Sequence, residues 1–126
     1  MAKTSSNPVN FKSAASLVGK RYYIVYVSAK GVVTIASAAT HKVMGVVANA
    51  PQAGAGQNVS VHLPFGNETF KVIAGGSISI GDKLTADSAG KAIATTSAGN
   101  YVFGVALQDA DAGDIFEAMP HFEKHA

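Results

Sequence analysis

The feature that most constrains this chain is an internal repeat, in which the second half copies the first at a distance of 59 residues. The apolar stretch 102–107 (VFGVAL) has its counterpart at 43–48 (VMGVVA). The same shift relates residues on both sides of these stretches: Gly31 and Gly90, Gly45 and Gly104, Val46 and Val105, Ala53 and Ala112, Gly54 and Gly113. A period that is kept across both turns and apolar segments indicates one supersecondary unit present twice.

Each copy has the pattern of short β-strands separated by glycine turns. A turn glycine is followed by an apolar strand, a small-residue connection, a second strand containing a glycine, an Ala-rich loop and a further strand. The continuous apolar run at 22–27 predicts a strand that is covered on both faces. No helical period extends beyond two turns. We therefore predict an all-β fold, a small β-barrel or sandwich built from two related halves.

Gly45 and Gly104 occupy the middle of the two organising strands. Glycine lowers the stability of a strand interior, so its presence marks a bulge, a bend or the close approach of another backbone. Because both copies carry the glycine, we expect one structural reason to apply twice.

Composition excludes several classes of protein. Hydrophobic residues make up 48% of the 126 residues and charged residues 14%, so the surface is poor in charge and suited to contact with another protein. The length fits a single domain. The absence of cysteine removes disulfides and sulfur-based metal or redox sites. No signal-peptide core or membrane-spanning apolar stretch is present, which predicts synthesis in the cytoplasm and no membrane partner.

Charge is divided between the two halves of the sequence. Residues 1–67 carry six basic residues and no acid, for a net charge of +6. Residues 68–126 carry four lysines and eight acids, for 4 − 8 = −4. If the halves fold separately, this polarity favours head-to-tail contact between copies or docking of the basic part on an acidic partner. If the halves interleave, the charges average out.

The ends of the chain differ from its middle. Residues 1–16 are polar apart from Val9 and Phe11, which predicts a flexible N-terminal arm that orders against a partner. Residues 17–120 form the predicted single β domain. Pro120 is expected to end the last strand, and residues 121–126 to form a C-terminal tail.

The residues capable of chemistry do not form a catalytic or metal-binding pattern. His121 and His125 have the i, i+4 spacing of a metal pair, but they lie in the predicted tail without further ligands. The acidic segment 109–114 has Gly113 where a calcium loop needs an oxygen ligand, which favours an ordinary turn. No serine lies in a nucleophile elbow, and no carboxylate pair occupies facing strands. We therefore predict no enzyme activity, no metal and no cofactor.

The basic residues of the first half are spread out and are not interleaved with aromatic residues, apart from Lys20 and Arg21 before the tyrosine-rich strand. Proteins that bind nucleic acid usually combine clustered cations with aromatic side chains. The sequence therefore predicts no direct contact with nucleic acid.

Four short motifs occur in an order that resembles the capsid cement or decoration proteins of tailed bacteriophages. They are GSISIGDKLT at 76–85, AGKA at 89–92, FGVAL at 103–107 and AGDIF at 112–116. The resemblance covers residues 17–120, with Asp114 at a position where the family more often has Glu. It implies a small β-rich protein on the outside of an assembled phage head, usually a trimer at three-fold or quasi-three-fold positions. The family has no catalytic residues.

The resemblance and the sequence pattern together give candidate contact residues. Val9, Phe11 and Lys12 of the arm are the candidate capsid-binding residues, which would add a strand to an edge of the coat-protein sheet. The strands around four residues are the candidate subunit-packing surfaces: Gly45, Val46, Gly104 and Val105. The expected partners are the major capsid (coat) protein and further copies of the chain, in a homotrimer or alternatively a homodimer. The expected location is the exterior of the virion capsid.

A β-barrel binding or adhesion module, for example one that binds carbohydrate, is the alternative function. Such modules usually present exposed aromatic platforms. The sequence has no Trp, and three of its four tyrosines lie in the apolar run at 22–27. The composition therefore favours the capsid protein.

Overall fold

The computed structural model describes residues 9–41, 44–49, 54–63 and 69–124 of the chain. This part is all-β, with ten strands and no helix long and apolar enough to cross a membrane. The strands are β1 (Val9–Ser13), β2 (Ile24–Ala29), β3 (Val32–Ile35), β4 (Met44–Asn49), β5 (Asn58–His62), β6 (Phe70–Ile73), β7 (Lys83–Ala86), β8 (Ala92–Ala94), β9 (Tyr101–Ala106) and β10 (Ile115–Lys124). The all-β prediction is confirmed.

The first five strands form a closed barrel, here called the barrel unit, in the order β1-β3-β2-β4-β5. Strand β1 closes it by pairing with both neighbours. It runs antiparallel to β5, with Val9 opposite Val61, and parallel to β3, with Lys12 opposite Val32. Closure removes the free strand edges that would otherwise promote aggregation in a chain so rich in valine.

The last five strands form a second sheet, here called the sheet unit, in the order β6-β10-β9-β7-β8. A parallel bridge between Ala74 and Ala92 connects its two ends. The parallel contact between β1 and β3 is thus repeated at the end of β6 and the start of β8. Each half of the sequence therefore builds one unit with the same strand order.

The repeat extends to the register of the strands. Val25 lies opposite Gly45 in the barrel unit, and Leu84 lies opposite Gly104 in the sheet unit. Both residues of the second pair are 59 positions beyond those of the first, as the sequence shift requires. The prediction of two related halves is confirmed.

Two apolar clusters fill the molecule. One lies within the barrel unit and consists of Leu17, Val25, Val33, Val47, Val59 and Val61. The other fills the sheet unit around Phe103 and Phe116, and it includes Ile24, Ala36 and Val46 from the barrel unit. Each fully buried phenylalanine contributes about 1.5–3 kcal/mol by leaving water. Because the second cluster crosses between the units, each unit stabilises the other.

Strand β2 belongs to both clusters because its successive side chains point to opposite faces. Ile24 packs in the cluster shared by the two units, while Val25 packs inside the barrel. Both faces are thus covered at Ile24 and Val25, whereas Tyr26 and Val27 are only partly buried.

The mid-strand glycines are explained by close approach of a neighbouring strand. A Cβ atom on Gly45 would lie 2.7 Å from the carbonyl oxygen of His62, and one on Gly104 would lie 2.9 Å from the carbonyl oxygen of Met119. Backbone oxygens in paired strands cannot move aside easily, so only glycine fits. Of the three explanations that the sequence left open, close approach applies in both units.

The structure corrects both predicted ends of the β domain. Residues 9–13 form strand β1 of the barrel, although the sequence predicted a flexible arm over 1–16; residues 1–8 lie outside the described part. Strand β10 continues through Pro120 to Lys124, although the sequence predicted a tail from 121. Pro120 is tolerated because the register between β10 and β9 shifts there, so that the missing N–H falls at an irregularity in the ladder.

Candidate interaction surfaces

The predicted capsid-binding residues lie on β1 and take part in the barrel. Phe11 lies opposite Val59 and packs against the cluster inside the barrel. Lys12 is exposed, and its Nζ donates a hydrogen bond of 2.6 Å to Asn58 Oδ1. At these positions β1 therefore pairs with strands of its own chain. Lys12 presents its side chain to solvent.

The predicted subunit-packing residues are divided by burial. Gly45, Val46 and Gly104 are buried within the chain, and Val46 has no exposed surface. Val105 is partly exposed. Val46 packs in the cluster shared with the sheet unit, whereas Gly45 and Gly104 are covered by neighbouring strands of their own units, so these three residues offer little surface to another subunit. Packing between subunits around these strands stays a prediction, with Val105 as the accessible residue of the four.

A cleft of about 270 Å³ lies where the two units meet. Its lining consists of Arg21, Tyr22, Ala48, His62, Thr69, Phe70, Lys71 and Glu117. Arg21 Nε donates a 2.9 Å hydrogen bond to the carbonyl of Ala48, and Thr69 Oγ1 donates one of 2.8 Å to Glu117 Oε2. Both hydrogen bonds therefore hold side chains that line the cleft against other groups of the same chain.

Tyr22, at the base of this junction, has a positive φ of 74°, which is unusual for a residue with a side chain. Its N–H donates to the carbonyl of Val47, and its carbonyl accepts from the N–H of Ile73. Tyr22 is therefore held by both units, and strand β2 starts only at Ile24. The Arg21 guanidinium lies over the Tyr22 ring at 4.9 Å, in a cation–π contact.

The two units carry opposite charge, because each half of the sequence folds into its own unit. The described residues of the barrel unit include four cations and no anion: Lys12, Lys20, Arg21 and Lys30. Those of the sheet unit include four lysines and seven acids, for 4 − 7 = −3. The halves do not interleave, so the charges remain separated along the molecule.

A small charged group lies on the sheet unit at the end of β10. Glu123 accepts hydrogen bonds of 2.7 Å from Lys83 Nζ and 2.8 Å from His121 Nε2. These contacts, chiefly the one from Lys83, lower the pKa of Glu123 from 4.5 to about 2. His121 is thus part of a strand, where the sequence predicted a tail, and His125 lies outside the described part.

We expect the stability of the protein to depend on this group at acidic pH. The folded-state pKa is depressed, so the stabilisation is present above pH 4.5 and is lost as the pH falls from about 4.5 to about 2. Glu123→Gln and Lys83→Gln should each flatten the dependence of Tm on pH in this window. Lys124→Gln, on the same strand but without a bond to Glu123, is the control. An unchanged profile in the first two variants would contradict the assignment.

The described residues contain no group of three or more His, Cys, Asp or Glu that could hold a metal ion. In the acidic segment 109–114, two carboxylates cap backbone amides. Asp109 Oδ1 accepts from the N–H of Ile80, and Asp114 Oδ2 accepts from the N–H of Asp111. The bond of Asp114 lies within the turn, as in an ordinary acidic turn, whereas that of Asp109 joins the segment to the turn at Ile80.

The fold and these surfaces define a structural module of two fused, similar β-units, with its charges divided between them. The sequence profile of the phage cement proteins matches residues 18–119. This chain therefore belongs to the phage cement protein family, and the resemblance seen in the sequence is confirmed. Family membership supports a structural role in association with the phage capsid.

Solved structures include one of similar fold. It is the crystal structure of the head fiber gp8.5 N base in bacteriophage phi29, with a TM-score of 0.58 and 21% sequence identity. The match covers 93% of this chain and 95% of that one. At this identity the comparison concerns the fold alone. A search of curated protein sequences finds no match.

Proposed function

We propose that this protein is a decoration protein that binds the outer surface of a phage head and stabilises the shell against the pressure of packaged DNA. It acts as a trimer at three-fold or quasi-three-fold positions, where coat-protein assemblies meet, and it is not an enzyme. The observation that carries the proposal is the match of the cement-protein family over residues 18–119, nearly the whole β domain.

The physical properties of the fold support this role. A closed barrel and a second sheet with a shared core form a body that loses little conformational entropy when it docks. A trimer uses three modest contacts as one attachment, so its avidity exceeds the affinity of each contact by orders of magnitude. A rigid clamp of this kind raises the free energy needed to separate neighbouring capsomers.

The proposed capsid contact is the segment leading into β1, with Lys12 exposed beside it. Phe11 is partly buried and packs against the interior of the barrel, so we do not propose it as an anchor in a coat-protein groove. Strand addition to a coat-protein edge is therefore proposed for residues 1–8 alone.

The proposal is tested by adding the purified protein to undecorated heads of a phage that carries it. We expect saturable binding, density on the outer surface at three-fold positions by cryo-electron microscopy, and release of DNA at a higher temperature than from bare heads. Protein that has been heat-unfolded is the control. Heads that remain bare at saturating protein concentration would refute the proposal.

A carbohydrate-binding module remains the second candidate, and the junction cleft is the observation in its favour. Clefts between units are common ligand sites, and Tyr22 lines this one with a partly exposed ring. Binding to a glycan array that is abolished by Tyr22→Ala, together with no binding to heads, would favour this function over decoration.

A further inference from the structure

The turn between β7 and β8 provides one of the contacts that join the two units. Its glycine, Gly90, is buried, and its carbonyl accepts a 2.7 Å hydrogen bond from the N–H of Ile24 at the start of β2. A Cβ on Gly90 would lie 2.8 Å from Ile35 Cγ2, so the turn sits directly on the barrel unit. Within the chain, the turn of one unit thus docks on the other unit.

The equivalent turn of the barrel unit is uncovered. Gly31 corresponds to Gly90 through the 59-residue shift, and it is exposed together with its neighbours Ala29 and Lys30. Apart from its chain neighbours, no described atom lies within 4 Å of the position that a Cβ on Gly31 would take, and the Gly31 carbonyl accepts a 2.7 Å hydrogen bond from the N–H of Lys12 in β1. The same turn is therefore an interface between units in the sheet unit, and an exposed basic tip bonded to its own β1 in the barrel unit.

The surface that would receive this tip also occurs twice. Ile24 and Val46 are paired across β2 and β4 and are fully buried beneath the sheet unit. Their equivalents, Lys83 and Val105, are paired across β7 and β9 and are partly exposed. The sheet unit thus has a partly exposed face whose counterpart in the barrel unit is buried.

Large apolar side chains extend this open face. Met119 lies opposite Val105, Leu107 follows the end of β9 two residues after Val105, and Ile80 lies in the turn bonded to Ala106 through Gly81. Leu107, Met119 and Ile80 are 40%, 43% and 66% exposed. We call Ile80, Val105, Leu107 and Met119 the outer patch. An exposed apolar group of this kind, bordered by polar residues, is typical of a protein interface.

An acidic group borders the outer patch at Ile80, where the Asp109 carboxylate accepts a hydrogen bond from the Ile80 N–H. Glu117 lies two residues before Met119 on β10, and the cation opposite Val105, Lys83, is paired with Glu123. The barrel unit offers the opposite charge, because its described residues carry cations and no anion. Complementary charge selects the barrel unit of a second copy as the occupant of the patch.

We propose that the basic β2–β3 tip of one copy, at Lys30 and Gly31, docks on the outer patch of the next copy. This contact places the Gly31 turn beside Val105 and Lys83, the equivalents of Val46 and of Ile24, whose N–H bonds to the Gly90 turn within the chain. It is heterologous, joining two different surfaces, so it generates a closed ring when the rotation between copies permits. The inference rests on the self-association in the proposed function and assigns the surfaces that produce it.

The test measures the mass of the full-length protein by sedimentation at low and high salt. We expect oligomers at low salt and weaker association at high salt, because the contact joins opposite charges. Leu107→Asp and Lys30→Glu should each raise the dissociation constant by about tenfold or more, the effect of losing a central contact. Combining Lys30→Glu with Asp109→Lys should restore part of the association, since the charges are exchanged.

Val18→Asp is the matched control for Leu107→Asp, because Val18 is 49% exposed and belongs to the barrel unit, away from the outer patch. It should leave the mass distribution unchanged.

A monomer at every concentration, or oligomers that are insensitive to both interface variants, would overturn the proposal. So would a Leu107→Asp protein that keeps its mass but no longer binds heads, because the patch would then belong to the coat protein. Failure of the wild-type protein to bind heads would instead refute the decoration function and leave the sedimentation result standing.

Discussion

A variant that lacks residues 2–13 is expected to lose cooperative folding, whereas a variant that lacks residues 2–8 is expected to keep it. The longer deletion removes β1, which pairs with β5 on one side and β3 on the other. It leaves two free strand edges and uncovers the barrel interior where Phe11 packs. The loss is on the order of the whole stability of a domain, about 5–15 kcal/mol.

The measurement is thermal unfolding followed by circular dichroism, with native-state hydrogen exchange to locate the protected strands. For the shorter deletion, we expect the wild-type Tm. For the longer one, we expect no cooperative transition, and loss of protection in the sheet unit as well, because Ile24, Ala36 and Val46 belong to its cluster. A cooperative transition near the wild-type temperature without β1 would show that barrel closure is not needed.

The pair of deletions also separates folding from capsid binding. If residues 1–16 were the flexible arm that the sequence predicts, removing residues 2–16 would abolish binding to heads without affecting the fold. The structure changes that expectation, since the deletion would remove β1. The deletion of 2–8 is the informative one: loss of head binding with an unchanged Tm would support the proposed capsid contact of that segment.

The internal repeat was the most reliable guide to the fold. Glycines and apolar residues at a constant shift predicted two related all-β halves, and the observed pairs of Val25 with Gly45 and Leu84 with Gly104 follow that shift. The pattern succeeds because turn glycines and buried strand residues are fixed by backbone geometry and packing, which both units share.

Strand β1 was missed because its relation to the second half has a different offset. Its bridge residue Ser13 lies opposite Val33, and the counterpart Ala74 lies opposite Ala92. Ser13 and Ala74 are 61 positions apart, so the loop that follows β1 is two residues longer than the loop that follows β6. A shift of 59 residues therefore does not align β1 with β6. The alternation of Val9 and Phe11 with polar residues was the available indication of a strand.

Other differences arise from tertiary context. The alternating segment 77–80 resembles a strand, yet within it only Ile78 forms a bridge, to Ala110. Its position corresponds to the loop between β1 and β2, so no neighbouring strand is available to pair with it. Likewise, nothing in the sequence distinguishes the buried Val46 from its partly exposed counterpart Val105, because burial depends on which unit lies above each strand.

A Gly90→Ala substitution is expected to lower stability by about 2–5 kcal/mol. Gly90 has a φ of +80°, and placing a side chain in this region costs about 1–2 kcal/mol. The new Cβ would also lie 2.8 Å from Ile35 Cγ2 and 3.1 Å from the carbonyl oxygen of Ile24, and such overpacking costs about 1–3 kcal/mol more. Chemical denaturation of the purified variant measures the sum.

Gly31→Ala separates the two contributions, because Gly31 occupies the same turn of the barrel unit with a φ of +72° and open space around it. It should show the backbone cost alone, about 1–2 kcal/mol. The difference between the two variants, about 1–3 kcal/mol, then reports how tightly the Gly90 turn packs on the barrel. Equal losses would mean that the Gly90 turn is not held against the barrel in solution. The contact proposed between copies would then have no counterpart within the chain.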